Sequence, residues 1–79
     1  MELSESMELG VQPLEEVMIR MGLKNDDLVK ASVEMLTHKM VKKGRHGRRL
    51  TLNVKQKILN ALNTAKPDGH FAMKDIFNY

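Results

Sequence analysis

The basic side chains of this chain are concentrated in the middle third of the sequence, where their charge could hold an anion. Residues 35–66 contain nine lysines and arginines and no acid, a charge of +9: Lys39, Lys42, Lys43, Arg45, Arg48, Arg49, Lys55, Lys57 and Lys66. Residues 1–34 contain eight acids and three bases, a charge of −5. Because a block this dense repels itself unless an anion lies nearby, it predicts a polyanion-binding surface, with an ordinary solvated face as the alternative.

The aromatic content indicates how such a polyanion would be contacted. The chain has three aromatic residues, Phe71, Phe77 and Tyr79, and all of them lie outside residues 35–66. Proteins that bind single strands stack the bases on aromatic side chains. We therefore expect contacts to the phosphates of a duplex to dominate the binding.

The sequence predicts no catalytic or metal centre. It contains no cysteine, which removes disulfides, thiolate zinc sites and cysteine nucleophiles. The histidines His38 and His46 have no carboxylate near them in the sequence, and no serine has a neighbouring pair of histidine and acid, as nucleophilic catalysis would need. A binding protein without a cofactor is expected, rather than an enzyme.

The chain is predicted to form one domain behind a short tail, since 79 residues are too few for two domains. Residues 1–12 contain acids, serines and a glycine without a sustained apolar period, which predicts a flexible acidic N-terminal tail before a domain over residues 13–79. No stretch resembles a signal peptide or a membrane span. The sequence therefore predicts a cytoplasmic protein with no membrane partner.

Two short helices are predicted in the first half of the domain. Pro13 suits the first helical position, and apolar residues follow from Leu14 at i, i+3, i+4 and i+7 until Gly22. Asn25 is a favourable N-cap for a second helix, which should end near Ser32.

A third helix and a basic loop are predicted in the middle of the chain. Thr37 is a suitable N-cap for a helix over residues 37–43. Gly44 and Gly47 then indicate that the backbone leaves the helix and continues through a cationic loop over residues 44–49.

A fourth helix and a closing segment complete the predicted fold. Thr51 can cap a helix on which apolar residues recur at helical spacing and Lys55 lies on the solvated side. Residues 67–69 signal a turn, and residues 71–77 then supply apolar side chains to the core. No segment alternates like a strand, so the sequence predicts an all-α bundle of four or five short helices.

Three stretches resemble a known family: residues 36–41 (LTHKMV), 47–51 (GRRLT) and 58–63 (ILNALN). They are similar to the phage repressor and Cro-like (Xre-type) helix-turn-helix family, in which a glycine with basic neighbours follows an inward Ile or Val of the recognition helix. Residues 75–77 resemble the Asp-Leu-Phe with which many of these domains close. The resemblance implies a compact four- to five-helix bundle of the lambda-repressor-like type and a small DNA-binding protein that regulates transcription.

The resemblance also implies roles for individual residues, with Val41 as the buried anchor of the recognition helix. In such proteins the recognition helix reads base edges in the major groove while its flanks contact phosphates. The predicted base-reading residues are His38, Lys39 and Lys42. The predicted phosphate-binding residues are Thr37, Lys43, Arg45, Arg48, Arg49 and Lys55. The implied partner is double-stranded DNA, and a homodimer is expected.

Two other functions fit the same sequence. The acidic first third and the methionine-bearing helices could belong to a protein-interaction adaptor without affinity for DNA. The basic loop alone could instead bind structured RNA, whose deep, narrow major groove excludes a helix.

Overall fold

The chain folds into five α-helices in the computed structural model, which describes residues 10–79. The helices are α1 (Pro13–Met21), α2 (Asn25–Ala31), α3 (His38–His46), α4 (Leu52–Ala65) and α5 (Met73–Ile76). This part of the chain contains no strand, so the predicted all-α class and helix number are confirmed. No helix among residues 10–79 is long and apolar enough to cross a membrane.

The helix ends follow local side-chain chemistry. The Oγ1 atoms of Thr37 and Thr51 accept hydrogen bonds from the first turns of α3 and α4, as predicted, and α1 begins at Pro13. The predicted cap of α2 is wrong, because Asn25 is already helical. An acid in the first turn replaces that cap: the Asp27 carboxylate accepts from the backbone N–H of Lys24 at 2.7 Å.

The core lies where α4 packs on α2 while α1 packs on α3 and α5. Each helix contributes a fully buried apolar side chain, among them Leu14, Leu28, Val41, Ile58 and Ile76. These residues occupy the helical spacings from which the amphipathic faces were predicted. The opposite faces of α1, α3 and α4 therefore point to solvent.

Helix α3 continues three residues beyond its predicted end at Lys43, so the predicted loop over residues 44–49 is wrong for its first half. Gly44 is buried, and a Cβ atom there would lie 3.0 Å from Ile58 Cδ1 and 3.3 Å from Leu50 Cδ1. Glycine thus allows α3 to approach the core closely, and this packing outweighs its low helix propensity. The helix ends instead at His46, and Gly47 caps it with a left-handed φ of 87°.

Most of the predicted N-terminal tail, residues 1–9, lies outside the described residues. Its last residue, Gln12, is only 1% exposed. The backbone N–H of Gln12 donates to the Arg45 carbonyl at 3.2 Å, and its side-chain oxygen accepts from the Asn78 N–H at 2.8 Å. Gln12 therefore ties the start of the domain to α3 and to the end of the chain.

The predicted position of Lys55 on the solvated side of α4 is wrong. Lys55 is 8% exposed, and its Nζ donates to the backbone oxygen of Tyr79 at 2.8 Å. The same ammonium lies 4.2 Å from the centre of the Tyr79 ring, a cation–π distance. The segment after α5 covers this lysine, so Lys55 is not available for a phosphate.

Candidate functional site

Four outward residues of α3 form one continuous basic stripe. Lys39, Lys42, Lys43 and His46 stand at i, i+3, i+4 and i+7, which places them on one side of the helix. Together with Arg48 they line an open concavity of about 290 Å³. We call these five residues the cationic face. Val41 and Gly44, which are buried on the other side of the same helix, fix the direction in which the stripe points.

The lysines of the cationic face carry their charge without an ion pair to the rest of residues 10–79. The ion pairs within residues 10–79 involve other bases, Arg20, Lys30, His38 and Arg45. No hydrogen bond links the side chain of Lys39, Lys42, Lys43 or His46 to another residue within residues 10–79. Like charges this close raise the local positive potential, which attracts an anion.

His38, a predicted base reader, is turned towards α2. Its Nε2 lies 2.9 Å from Oδ1 of Asp26, whose other carboxylate oxygen lies 2.9 Å from Lys30 Nζ. Hydrogen bonds from Lys30 and then from His38 lower the pKa of the Asp26 carboxyl group. His38 is thus held by an acid from a neighbouring helix and does not line the concavity.

Arg45, a predicted phosphate ligand, is part of an internal clamp between helices. Its Nε donates to Glu15 Oε1 at 2.6 Å and its Nη1 donates to Asn25 Oδ1 at 2.7 Å. The Arg45 side chain is only 17% exposed. The structure therefore places this guanidinium between α1, α2 and α3, away from the cationic face.

The Arg45 clamp leads to a prediction about stability. Arg45→Ala should lower the free energy of unfolding by about 2 kcal/mol, because charge-assisted hydrogen bonds contribute more than neutral ones. Chemical denaturation of Arg45→Ala and of the milder Glu15→Gln variant measures this loss. Unfolding of both variants at the wild-type denaturant concentration would contradict the assignment of Arg45 to the fold.

The side chain of Tyr79 holds the segment after α3 in place. The hydroxyl oxygen of Tyr79 accepts from the Leu50 N–H at 3.0 Å, and its O–H donates to the Arg48 carbonyl at 3.1 Å. Burial raises the pKa of the Tyr79 phenol, which keeps it protonated for this donation. The backbone that carries Arg48 and the exposed Arg49 is thereby fixed against α4.

Tyr79→Phe tests this attachment, since it keeps the ring over Lys55 and removes only the hydroxyl. We expect a loss of about 1–2 kcal/mol in unfolding free energy and faster amide exchange at Leu50, which loses its acceptor. Hydrogen exchange followed by NMR measures both effects. Unchanged protection of the Leu50 amide would show that the hydroxyl does not hold this segment.

The remaining predicted residues divide between the site and the fold. Lys39, Lys42, Lys43 and Arg48 are brought together by the structure, whereas Arg49 is exposed outside the concavity. Thr37 is exposed at the N-cap of α3, and Lys55 is buried against Tyr79. His46 belongs to the face but was not predicted, although it lies seven residues after Lys39. That spacing places His46 on the same side as Lys39 only if α3 continues through Gly44, whereas the sequence predicts that the helix ends before it.

No family model, curated protein or solved structure matches this chain. No group of histidines and acids within residues 10–79 is arranged to hold a metal ion. The cationic face is thus the feature of residues 10–79 that points to a function, because the function of a protein depends on its site rather than on its fold.

Proposed function

We propose that this protein binds double-stranded DNA with the cationic face of α3. The observation that carries the proposal is the stripe of basic side chains at Lys39, Lys42, Lys43 and His46, none of which has an ion pair within residues 10–79. An α-helix fits the major groove of duplex DNA, and lysines on such a helix reach phosphates on either side of the groove. The absence of acids from residues 35–66 favours the same ligand.

Within this proposal, α2 and α3 act as the two helices of a helix-turn-helix of the lambda-repressor-like type, and the protein is a transcriptional regulator. Lys39 and Lys42 contact base edges, since an ammonium can donate to guanine O6 and N7. Lys43 and His46 then contact phosphates, together with the arginines that follow α3. A second copy on the next half-site would extend the sequence that one small module reads.

Thr37 retains a role at the edge of this surface. Its Oγ1 accepts a hydrogen bond from the Met40 N–H at 3.1 Å. A hydroxyl group has one donor in addition to its acceptor sites. The Thr37 proton can therefore be donated to a phosphate while the cap stays intact.

The salt dependence of binding tests the proposal. If each protomer contacts about five phosphates, log K should fall with log salt at a slope of about −4.5, a loss of roughly 500-fold between about 50 and 200 mM salt. Titration of a labelled duplex at several salt concentrations gives the slope. A flat response, or affinity for duplex RNA equal to that for DNA, would contradict binding by a helix in the DNA major groove.

A protein-interaction adaptor is the second candidate, and the connector between α2 and α3 favours it. Val33 is 96% exposed and Met35 is 85% exposed, which is high for large apolar side chains. Between them Glu34 accepts a hydrogen bond from Asn60 at 3.0 Å, so the connector is anchored to α4. This candidate predicts no appreciable binding of duplex DNA, which the same titration measures.

A further inference from the structure

We infer that the cationic face is also the docking surface for the chain's own acidic segment, residues 1–9, which competes there with DNA phosphates. The competition rests on the proposed function, whereas the contact between segment and face does not. Residues 1–9 contain Glu2, Glu5 and Glu8 and no base. Their charge is therefore opposite to that of the face, on which four side chains have no acidic partner within residues 10–79.

Residues 10–12, which follow this segment, lie next to the C-terminal end of α3. Gln12 is hydrogen-bonded to the Arg45 carbonyl at 3.2 Å. Two residues earlier, the carbonyl group of Gly10 occupies the space where a side chain on Gly47 would lie. The backbone of residues 10–12 thus runs past the C-terminal end of α3, and Gly10, to which residues 1–9 are joined, lies beside the His46 end of the face.

The segment is long enough to reach every residue of the face. Nine residues span up to roughly 30 Å when extended. Lys39 and His46 are seven residues apart on a helix, which corresponds to roughly 10 Å along its axis. Because the segment is tethered next to its target, its effective concentration is on the order of 1 mM.

The expected effect on DNA binding follows from that concentration. A contact of a few charges with a dissociation constant of about 0.1 mM, comparable to weak non-specific phosphate binding, would reduce the affinity for DNA about tenfold at low salt. Salt screens exposed charges, so the reduction should fade as the ionic strength rises. Removal of part of the acidic charge should restore part of the affinity.

The test compares two double variants that change the net charge equally. Glu5→Gln/Glu8→Gln neutralises the segment, and Glu16→Gln/Asp68→Asn neutralises two exposed acids on α1 and in the turn after α4. With a labelled random DNA duplex at low salt, we expect the first variant to bind about fivefold more tightly than the wild type. The control should stay within about twofold of the wild type, since screening leaves little effect from distant charges.

A second measurement without DNA separates the inference from the proposed function. The backbone amide NMR signals of residues 39–46 should shift in Glu5→Gln/Glu8→Gln and not in Glu16→Gln/Asp68→Asn. Unmoved signals would overturn the docking of residues 1–9, whatever the DNA result. Shifted signals together with an equal DNA affinity of both variants would overturn the competition. Shifted signals in a protein that binds no duplex would support the contact and reject the DNA proposal.

Discussion

Lys42→Glu/Lys43→Glu is expected to weaken binding to duplex DNA roughly 100-fold at about 0.1 M salt, which corresponds to about 2.7 kcal/mol. Both lysines line the concavity at the middle of the stripe. The change removes one contact to a base edge and one contact to a phosphate, and it places two carboxylates beside the DNA backbone. It should also make the salt slope shallower by about one, since the lost phosphate contact of Lys43 contributes about 0.9.

Lys24→Glu/Lys74→Glu is the matched control, because it makes the same change in net charge at exposed positions of other elements. The control should lose much less affinity, and both variants should unfold at denaturant concentrations close to that of the wild type. Fluorescence anisotropy with a labelled duplex measures the two affinities. Equal losses in both variants would mean that total charge, rather than the cationic face, determines binding.

Gly47→Ala should destabilise the domain by about 3 kcal/mol, a large part of the stability of a chain this small. The left-handed conformation of Gly47 costs a residue with a side chain roughly 1–2 kcal/mol. In addition, the new Cβ atom would overlap the carbonyl group of Gly10. Residues 10–12 must then move away, with loss of the hydrogen bond from the Gln12 N–H to the Arg45 carbonyl.

Gly22→Ala separates the two contributions. Gly22 ends α1 with a φ of 70°, and a Cβ atom there would have no atom within 4 Å. This variant should therefore lose only the conformational part, roughly 1–2 kcal/mol. Thermal and chemical unfolding of the two variants measure the difference. Equal losses would show that the approach of Gly10 to Gly47 contributes nothing to stability.

Much of the fold could be predicted because it depends on local chemistry. Pro13, Thr37 and Thr51 mark helix starts through their own dihedral angles or side-chain acceptors, and Gly22 marks an end. Apolar residues at helical spacing then identify the buried faces. Each of these residues lies within a few positions of the helix end or buried face that it determines, so a single sequence is enough to predict them.

The errors arose where distant residues decide the structure. Gly44 continues α3 because of Ile58 and Leu50, which are adjacent to it only after folding. Lys55 is buried by Tyr79, 24 residues further along the chain. No local pattern reveals either neighbour. A glycine alone predicts the end of a helix, and a lysine alone predicts exposure to solvent.

The candidate site shows the same limit. Lys39, Lys42 and Lys43 could be assigned to an outward face from the spacing of α3 alone. His38 and Arg45 look equally available for DNA in the sequence, but Asp26 and Glu15 from earlier helices bind their side chains. The block of like charge therefore predicts a candidate site, whereas the pairing of acids with bases across helices decides which residues compose it.

The most direct test of the central proposal is to map the bound duplex onto the protein. In an NMR titration with a short DNA duplex, we expect the largest amide shifts at Lys39, Lys42, Lys43 and His46 and in the two arginines after α3. The outer faces of α1 and α5 should change little. Largest shifts at the exposed connector around Val33 and Met35, or no shifts along α3, would contradict DNA binding by the cationic face.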